Sequence, residues 1–256
     1  MYDFSIKILT APFGKTHIFS TGQAGFVIKS QSGQILGVDM YLTDCVERIE
    51  GHVGYHRLLP KLLDPSEIEF DVVVATHPHK DHFDDDAIPA LMANGKTKLF
   101  ASVNCEQDVK RLFMTDMDIA FVKPGDHKCV GDFELDFINC DHGTGAPDAV
   151  GLIINVDNKR ILVVGDSCLR LDRVDEYLKR GSIDIMIAPI NGAYGNLNEV
   201  ECVELAKALQ PKLTIPCHYG MFASHGGNPG KFYEGMKSEC PNLNFKLMCH
   251  GEGIVL

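Results

Sequence analysis

Two histidines, an aspartate and a third histidine fall within six residues in the segment Thr76-His77-Pro78-His79-Lys80-Asp81-His82. Imidazole nitrogens and carboxylate oxygens are donors that hold divalent first-row cations. His77 and His79 stand two apart, so an extended backbone aims both rings to one side. Asp81 and His82 lie on the following turn and can face a second ion. The competing reading is a polar surface loop that happens to be rich in histidine. Three further donors argue against it: His142 after FELDFINCD, Asp166 at the end of ILVVGD, and His218 at the end of KLTIPCH. Each follows an apolar run directly, the pattern expected when several strands present ligands at one crevice. Asp39, which closes QILGVD, is placed in the same way.

These donors need a rigid frame, and the sequence supplies mostly strands. Runs rich in β-branched and apolar residues occur at 26–28, 35–38, 72–75, 99–101, 133–137, 152–156, 161–164, 183–188 and 213–216. Phe133, Leu135 and Phe137 alternate with Glu134 and Asp136, a strand with one wet face, whereas Val72 to Val74 reads as buried on both. Asp157, Asn158 and Lys159 make a polar hairpin connection between GLIINV and RILVVG. Helices are fewer. Asn198 with Glu201 three residues on predicts a capped start, Cys202, Leu205, Ala206 and Leu209 form the apolar stripe, and Pro211 ends the run. Further helices are predicted from Asn104 to Met114, from Asp172 to Arg180 with Gly181 as the stop, and after Asn228-Pro229. Strands are expected first in each half and helices later, giving two sheets face to face with helices outside.

Composition narrows the function classes. A formal charge of -11 and the lack of any Lys/Arg run argue against a nucleic-acid partner. A 45% hydrophobic share in 256 residues supports one domain, 1–256, built of two closely packed halves. The beginning of the chain has neither a basic head nor an unbroken apolar stretch, so neither a signal peptide nor a membrane span is expected. Nine cysteines without a CxxC pair fit a reducing compartment, and the cytoplasm is the expected location. Cys140, Cys168 and Cys217 adjoin supposed ligands and are read as small core residues. Whether the chain forms a homo-oligomer is left open.

HxHxDH, then a lone His, a GDS-type Asp and a strand-end His resemble, in order, the metal-binding set of the metallo-β-lactamase superfamily. GQAGFVIKSQSGQILGVDMYLTD, THPHKDHFDDDAIPALM and IPCHYGMFASHGGNPGKF resemble the branch that contains L-ascorbate-6-phosphate lactonase. The resemblance implies an α/β (α+β) fold, a four-layer αβ/βα sandwich of two mixed sheets. It also implies one or two divalent ions, manganese or zinc. Carried over by position, His77, His79 and His142 bind one ion, Asp81, His82 and His218 face a second, and Asp166 lies between them. Asp81 also steers the attacking water and shuttles its proton. Asp39 resembles the family's early aspartate, which orients a ligand without touching metal; a turn-forming Asp is the plainer alternative. Histidine at 79, where diiron relatives carry glutamate, favours hydrolysis.

The implied activity is hydrolysis of a lactone or carboxylic ester on a small, anionic, sugar-phosphate-like substrate. A phosphodiesterase acting on small phosphodiesters or RNA, and a metal-binding sensor or scaffold without turnover, are the alternatives. Asn191, Tyr194 and Asn196, with Tyr219 and His225, are the candidate substrate contacts, because they lie in loops beside the ligands. Asn and Gly in NGAYGN also suit a plain connection. Lys80, Arg170, His225 and Lys231 are the candidates for pairing with a phosphate. His17, His52, His56, His127 and His250 fall outside the ligand pattern.

Overall fold

The protein is described by a computed structural model covering residues 1–143 and 145–256. After a short helix α1 (Asp3–Leu9) the chain lays down β1 (His17–Gly22), β2 (Gly25–Lys29) and β3 (Ile35–Val38) as an antiparallel meander. Helix α2 (Cys45–Glu50) follows, then β4 (Val72–Ala75), α3 (Ala87–Met92), β5 (Lys98–Ser102), α4 (Glu106–Arg111) and β6 (Ile119–Val122). From β3 to β6 the strands are parallel. The second sheet opens with β7 (His127–Val130), β8 (Phe133–Asn139), β9 (Val150–Val156) and β10 (Lys159–Val163), all antiparallel. It continues through α5 (Val174–Leu178), β11 (Ile185–Pro189), α6 (Glu199–Leu209) and β12 (Leu213–Cys217), with β10, β11 and β12 parallel. Helix α7 (Pro229–Glu239) precedes β13 (Gly253–Val255), which returns to the first sheet beside β1. The sheets run β13-β1-β2-β3-β4-β5-β6 and β12-β11-β10-β9-β8-β7.

Period-two burial explains the layers. Ile18, Phe26, Ile28, Leu36, Val38, Val72 and Val74 point inward and meet Leu135, Phe137, Leu152, Ile154, Ile161 and Ile187 of the other sheet. Their neighbours Phe19, Val27, Val73 and Leu99 point outward onto Phe4, Ile8, Ile88, Leu91 and Val109 of the flanking helices. Ile153, Leu162 and Met186 do the same on the far side, against Cys202, Leu205, Leu209, Phe232 and Met236. The result is the four-layer αβ/βα sandwich of two mixed sheets, and Val72 to Val74 are buried on both faces for this reason.

The expected order of strands first and helices later is corrected: α1 precedes β1, and α3 to α6 lie between strands, because parallel neighbours require crossovers. Helices α1, α2 and α3 escaped the sequence reading. They have six or seven residues, too short for an apolar stripe to show, and although Asp44 with Glu47 and Asp86 stand where capping residues would, none of the three helices has a side-chain cap in the structure. The helix expected from Asn104 is a short 3-10 turn, Val103–Cys105, capped by Ser102 and followed by α4. That expected from Asp172 likewise begins as a 3-10 turn, Leu171–Arg173. The hairpin turn is two residues long. Asp157 and Asn158 take φ of 50° and 59°, the backbone of a type I′ turn, and Lys159 already belongs to β10. Cys140 and Cys217 are buried, but Cys168 is exposed, contrary to its reading as a core residue. Among the described residues no helix is long and apolar enough to cross a membrane.

Helix α6 is fixed as its sequence predicts: Asn198 Oδ1 accepts from the Val200 and Glu201 amides, and Glu201 Oε2 accepts from the Asn198 amide. Asn198→Ala should therefore lower stability by about 1 kcal/mol in urea titration, without changing the slope of the transition.

Candidate metal centre

Every donor named from the sequence lies at the same end of the two sheets. Asp39 follows β3, His77 follows β4, His142 follows β8, Asp166 follows β10 and His218 follows β12. These strands share a direction, so their carboxyl ends open on one crevice. The sheets are tied together at this end by the amide of Val150 on the Thr76 carbonyl and that of His218 on the Gln23 carbonyl.

Three overlapping groups of donors form there, with ligand atoms inside each group within 4.8 Å of one another: His77, His79 and His142; His77, His82 and Asp166; Asp81, His82 and His218. His79 is exposed, and the other six residues are buried. Asp166 Oδ2 lies 3.8 Å from His142, 3.4 Å from His82 and 3.2 Å from His218, which places it between the first and third groups. Asp81 Oδ2 is 3.4 Å from His218 and 3.7 Å from His82.

The ring nitrogens provide a test of whether a cation suits the site. His79 Nδ1 lies 3.1 Å from His77 Nε2 and 2.9 Å from His142 Nε2. One nitrogen carries at most one proton, so these two contacts cannot both be hydrogen bonds donated by His79. Lone pairs meeting at this distance repel, and a cation among them turns the repulsion into ligation. His142 Nδ1 is moreover buried without a partner. The donor set fits a divalent ion, and its all-nitrogen-and-oxygen character suits manganese or zinc.

The local charges divide into two kinds. Burial, followed by the charge of His82, holds His77 well below the ordinary imidazole range. Burial also lowers His79 and His142, so this group is neutral, the form that ligates. Burial alone would raise the carboxyl of Asp81, yet His82 and His218 outweigh it and keep it well below the usual range. Asp166 is held down by the same two histidines. In turn His82 is pushed up against its burial by Asp166, Asp39 and Asp81, and His218 rises to about 9, chiefly through Asp166. Two buried carboxylates thus demand positive charge, which imidazolium supplies when no metal does.

Asp39 reaches two ligands. It accepts from the Thr76 amide at 2.8 Å and from Thr76 Oγ1 at 2.7 Å, and its Oδ2 lies 2.9 Å from His82 Nδ1 as an ion-pair contact. Because Thr76 Oγ1 gives its proton to Asp39, it can only accept from His77 Nδ1 at 3.1 Å. That assigns the His77 proton to Nδ1 and leaves Nε2 as the ligating atom.

Sequence reasoning missed Gln23, in the turn between β1 and β2. Its buried Nε2 donates to Asp81 Oδ2 at 2.8 Å and lies 3.0 Å from His225 Nδ1. Gln23, Asp39, Tyr194 and His218 are four non-glycine residues with positive φ, from 46° to 63°, gathered around this site. Such backbone costs about 1–3 kcal/mol per residue and collects at functional sites. Asp84 was also overlooked. Fully buried, it accepts from the amides of Leu42, Thr43, Asp86 and Ala87 and from Thr43 Oγ1, binding the ligand loop to the segment after β3.

A cavity of about 260 Å³ lies at the donors, lined by His79, Asp81, His142 and Asp166 and also by Val46, Glu50, Tyr55, Tyr194, Phe222 and His225. Of the expected substrate contacts, Tyr194 and His225 line it. Asn191 and Asn196 are buried and bond to each other at 3.2 Å, and Tyr219 donates to the Met248 carbonyl; none of the three lines the cavity. Three of the expected phosphate partners are already paired, Lys80 with Asp85 and Asp108, Arg170 with Asp141 and Asp172, and Lys231 with Glu199; the fourth, His225, lines the cavity, and burial lowers its pKa to about 4.

The beta-lactamase superfamily domain model matches residues 17–218. A UPF0173 metal-dependent hydrolase of Polynucleobacter asymbioticus is 24% identical, over 94% of this chain and 86% of that protein. One from Archaeoglobus fulgidus is 25% identical, over 73% of this chain and 83% of that protein. Among solved structures, Igni18, a metallo hydrolase from Ignicoccus hospitalis, superposes with a TM-score of 0.76 at 19% identity, covering 94% of this chain and 98% of that one.

Two outcomes are expected. Stripping metal with a chelator should lower the melting temperature by several degrees and added zinc or manganese should restore it, since a ligand at about 100 times its Kd stabilises by about 2.7 kcal/mol. Asp84→Ala should cost about 2–3 kcal/mol and reduce bound metal measured by elemental analysis, with Asp84→Asn recovering part of both.

Proposed function

The chain belongs to the beta-lactamase superfamily, and on that premise we propose that it is a metal-dependent hydrolase that opens a small lactone or carboxylic ester. One observation carries the reading: three donor groups that share members converge on the floor of a cavity that also exposes a carboxylate oxygen of Asp81. The names of the relatives support the hydrolytic class, and the resemblance of the ligand-bearing stretches to the lactonase branch supports the bond. Lys80, the lysine that lines the cavity, is held by Asp85 and Asp108 and so offers no free charge to an anionic substrate.

His77, His79, His142, Asp166, Asp81, His82 and His218 would hold one or two ions, manganese or zinc. When bound, such an ion supplies a water whose pKa falls toward about 7 and a Lewis acid for the scissile carbonyl. The chain's own residues do the positioning. Gln23, His82 and His218 all contact Oδ2 of Asp81, which leaves Oδ1 toward the cavity. Kept as a carboxylate, Asp81 can accept a hydrogen bond from water and pass its proton to the leaving oxygen. Gln23 fixes the carboxylate plane, so the accepting lone pair has a set direction. Asp39 and Thr76 hold the His77 ring in its ligating tautomer.

Protein loaded with manganese or zinc should hydrolyse small lactones and esters, read by pH-stat titration. Asp81→Ala and His79→Ala should lose roughly 10²–10⁴-fold in kcat/KM while circular dichroism stays unchanged. Turnover confined to phosphodiesters would replace this reading with a phosphodiesterase, and metal binding with no turnover on either panel would replace it with a sensor.

A further inference from the structure

The aromatic part of the cavity wall comes from three separate segments. Tyr55 lies after α2, Tyr194 between β11 and α6, and Phe222 and His225 after β12. Their rings form one aromatic surface. Tyr55 meets Phe222 edge-on at 5.7 Å and His225 at 5.8 Å, Tyr194 meets His225 at 5.5 Å, and the hydroxyls of Tyr55 and Tyr194 touch. Tyr194 remains 59% exposed, so its ring is presented to a ligand and not packed away.

Glu50 stands beside this surface. It ends α2, where the helix carbonyls disfavour a negative charge, and among the described residues it has neither a salt bridge nor a side-chain hydrogen bond. Glu47, on the same helix, binds the Arg57 amide, and Lys80, which also lines the cavity, is held by Asp85 and Asp108. An uncompensated carboxylate at the rim of aromatic faces, themselves electron-rich, is a pairing that attracts cations. An anionic group on the same wall would meet Glu50 and the ring faces, while Lys80, the lysine that lines the cavity, is already paired with Asp85 and Asp108.

We propose that Glu50, Tyr55 and Tyr194 select a substrate carrying a cationic nitrogen next to a small flat apolar part, so that an amino-substituted lactone or ester is preferred over a neutral or acidic one. The proposal rests on the hydrolase reading above for the bond that is cleaved, but not for the recognition. The small cavity volume limits the substrate to about one ring and a short arm.

Two measurements test it. In the first, calorimetry on zinc-loaded protein compares benzylamine, protonated at pH 7, with benzyl alcohol. Benzylamine should bind about tenfold tighter, and Glu50→Gln, checked for folding by circular dichroism, should bring the two together. In the second, kcat/KM is compared for α-amino-, unsubstituted and α-carboxy-γ-butyrolactone. The amino compound should lead by about tenfold, and Glu50→Gln should remove the lead. Equal binding of the two benzyl probes, or faster opening of the α-carboxy lactone, overturns the proposal. Lactone hydrolysis without an amine preference defeats it while leaving the hydrolase reading intact. Glu50-dependent binding of benzylamine with no lactone turnover supports it and removes the lactonase reading instead.

Discussion

Asp81 and Asp166 are carboxylates withdrawn almost wholly from water and set within a few ångströms of five histidines. Burying two negative charges is tolerable only where positive charge is brought equally close, and most of the unusual features of this protein follow from that requirement. His82 and His218 carry raised pKa values because they face both carboxylates, whereas His77, His79 and His142 are lowered by burial. The same crevice thus contains a neutral imidazole group and a charge-balancing one, bridged by Asp166. A divalent ion would satisfy both at once, since the first group offers lone pairs and the second negative charge.

Holding so many polar side chains at one point requires a rigid frame. Strands β3, β4, β10 and β12 are buried on both faces and so are clamped between the inner core and a helical layer nearly to the residue where they end, while β8 keeps one partly exposed face. The ligands begin where that clamp stops. Strain is then concentrated at the ends: His218 and Asp39 turn out of β12 and β3 in a left-handed conformation, and Gln23 does so in the turn opposite. Tight hydrogen bonding makes these turns stable, as in the Asp39 contacts to Thr76 and the five donors that converge on Asp84.

The substrate side of the cavity is built differently. Val46, Glu50 and Tyr55 come from the stretch between β3 and β4, Tyr194 and Phe222 from loops of the second half, and His225 joins this wall to the donors through His218 and Gln23. The charges confirm the division of labour: Lys80 neighbours the ligands in sequence yet serves the Asp85 and Asp108 network, while Glu50, remote in sequence, faces the cavity.

The sequence by itself determined which residues could be ligands and that strands would carry them. An apolar run ending in His or Asp is a local pattern, and burial forces that pattern wherever a strand leaves a core. For the same reason Val72 to Val74 and the capped start of α6 were legible. Short uncapped helices left no comparable mark. The tertiary structure alone decided which donors come within 4.8 Å of one another, that Thr76 fixes the tautomer of His77, that Gln23 restrains Asp81, and that Glu50 joins Tyr55 and Tyr194 in one cavity lining. Each is a contact between side chains whose partner is chosen by how the two sheets and their loops come together, and a short-range electrostatic or packing contact of that kind imposes no periodicity on the residues around either partner.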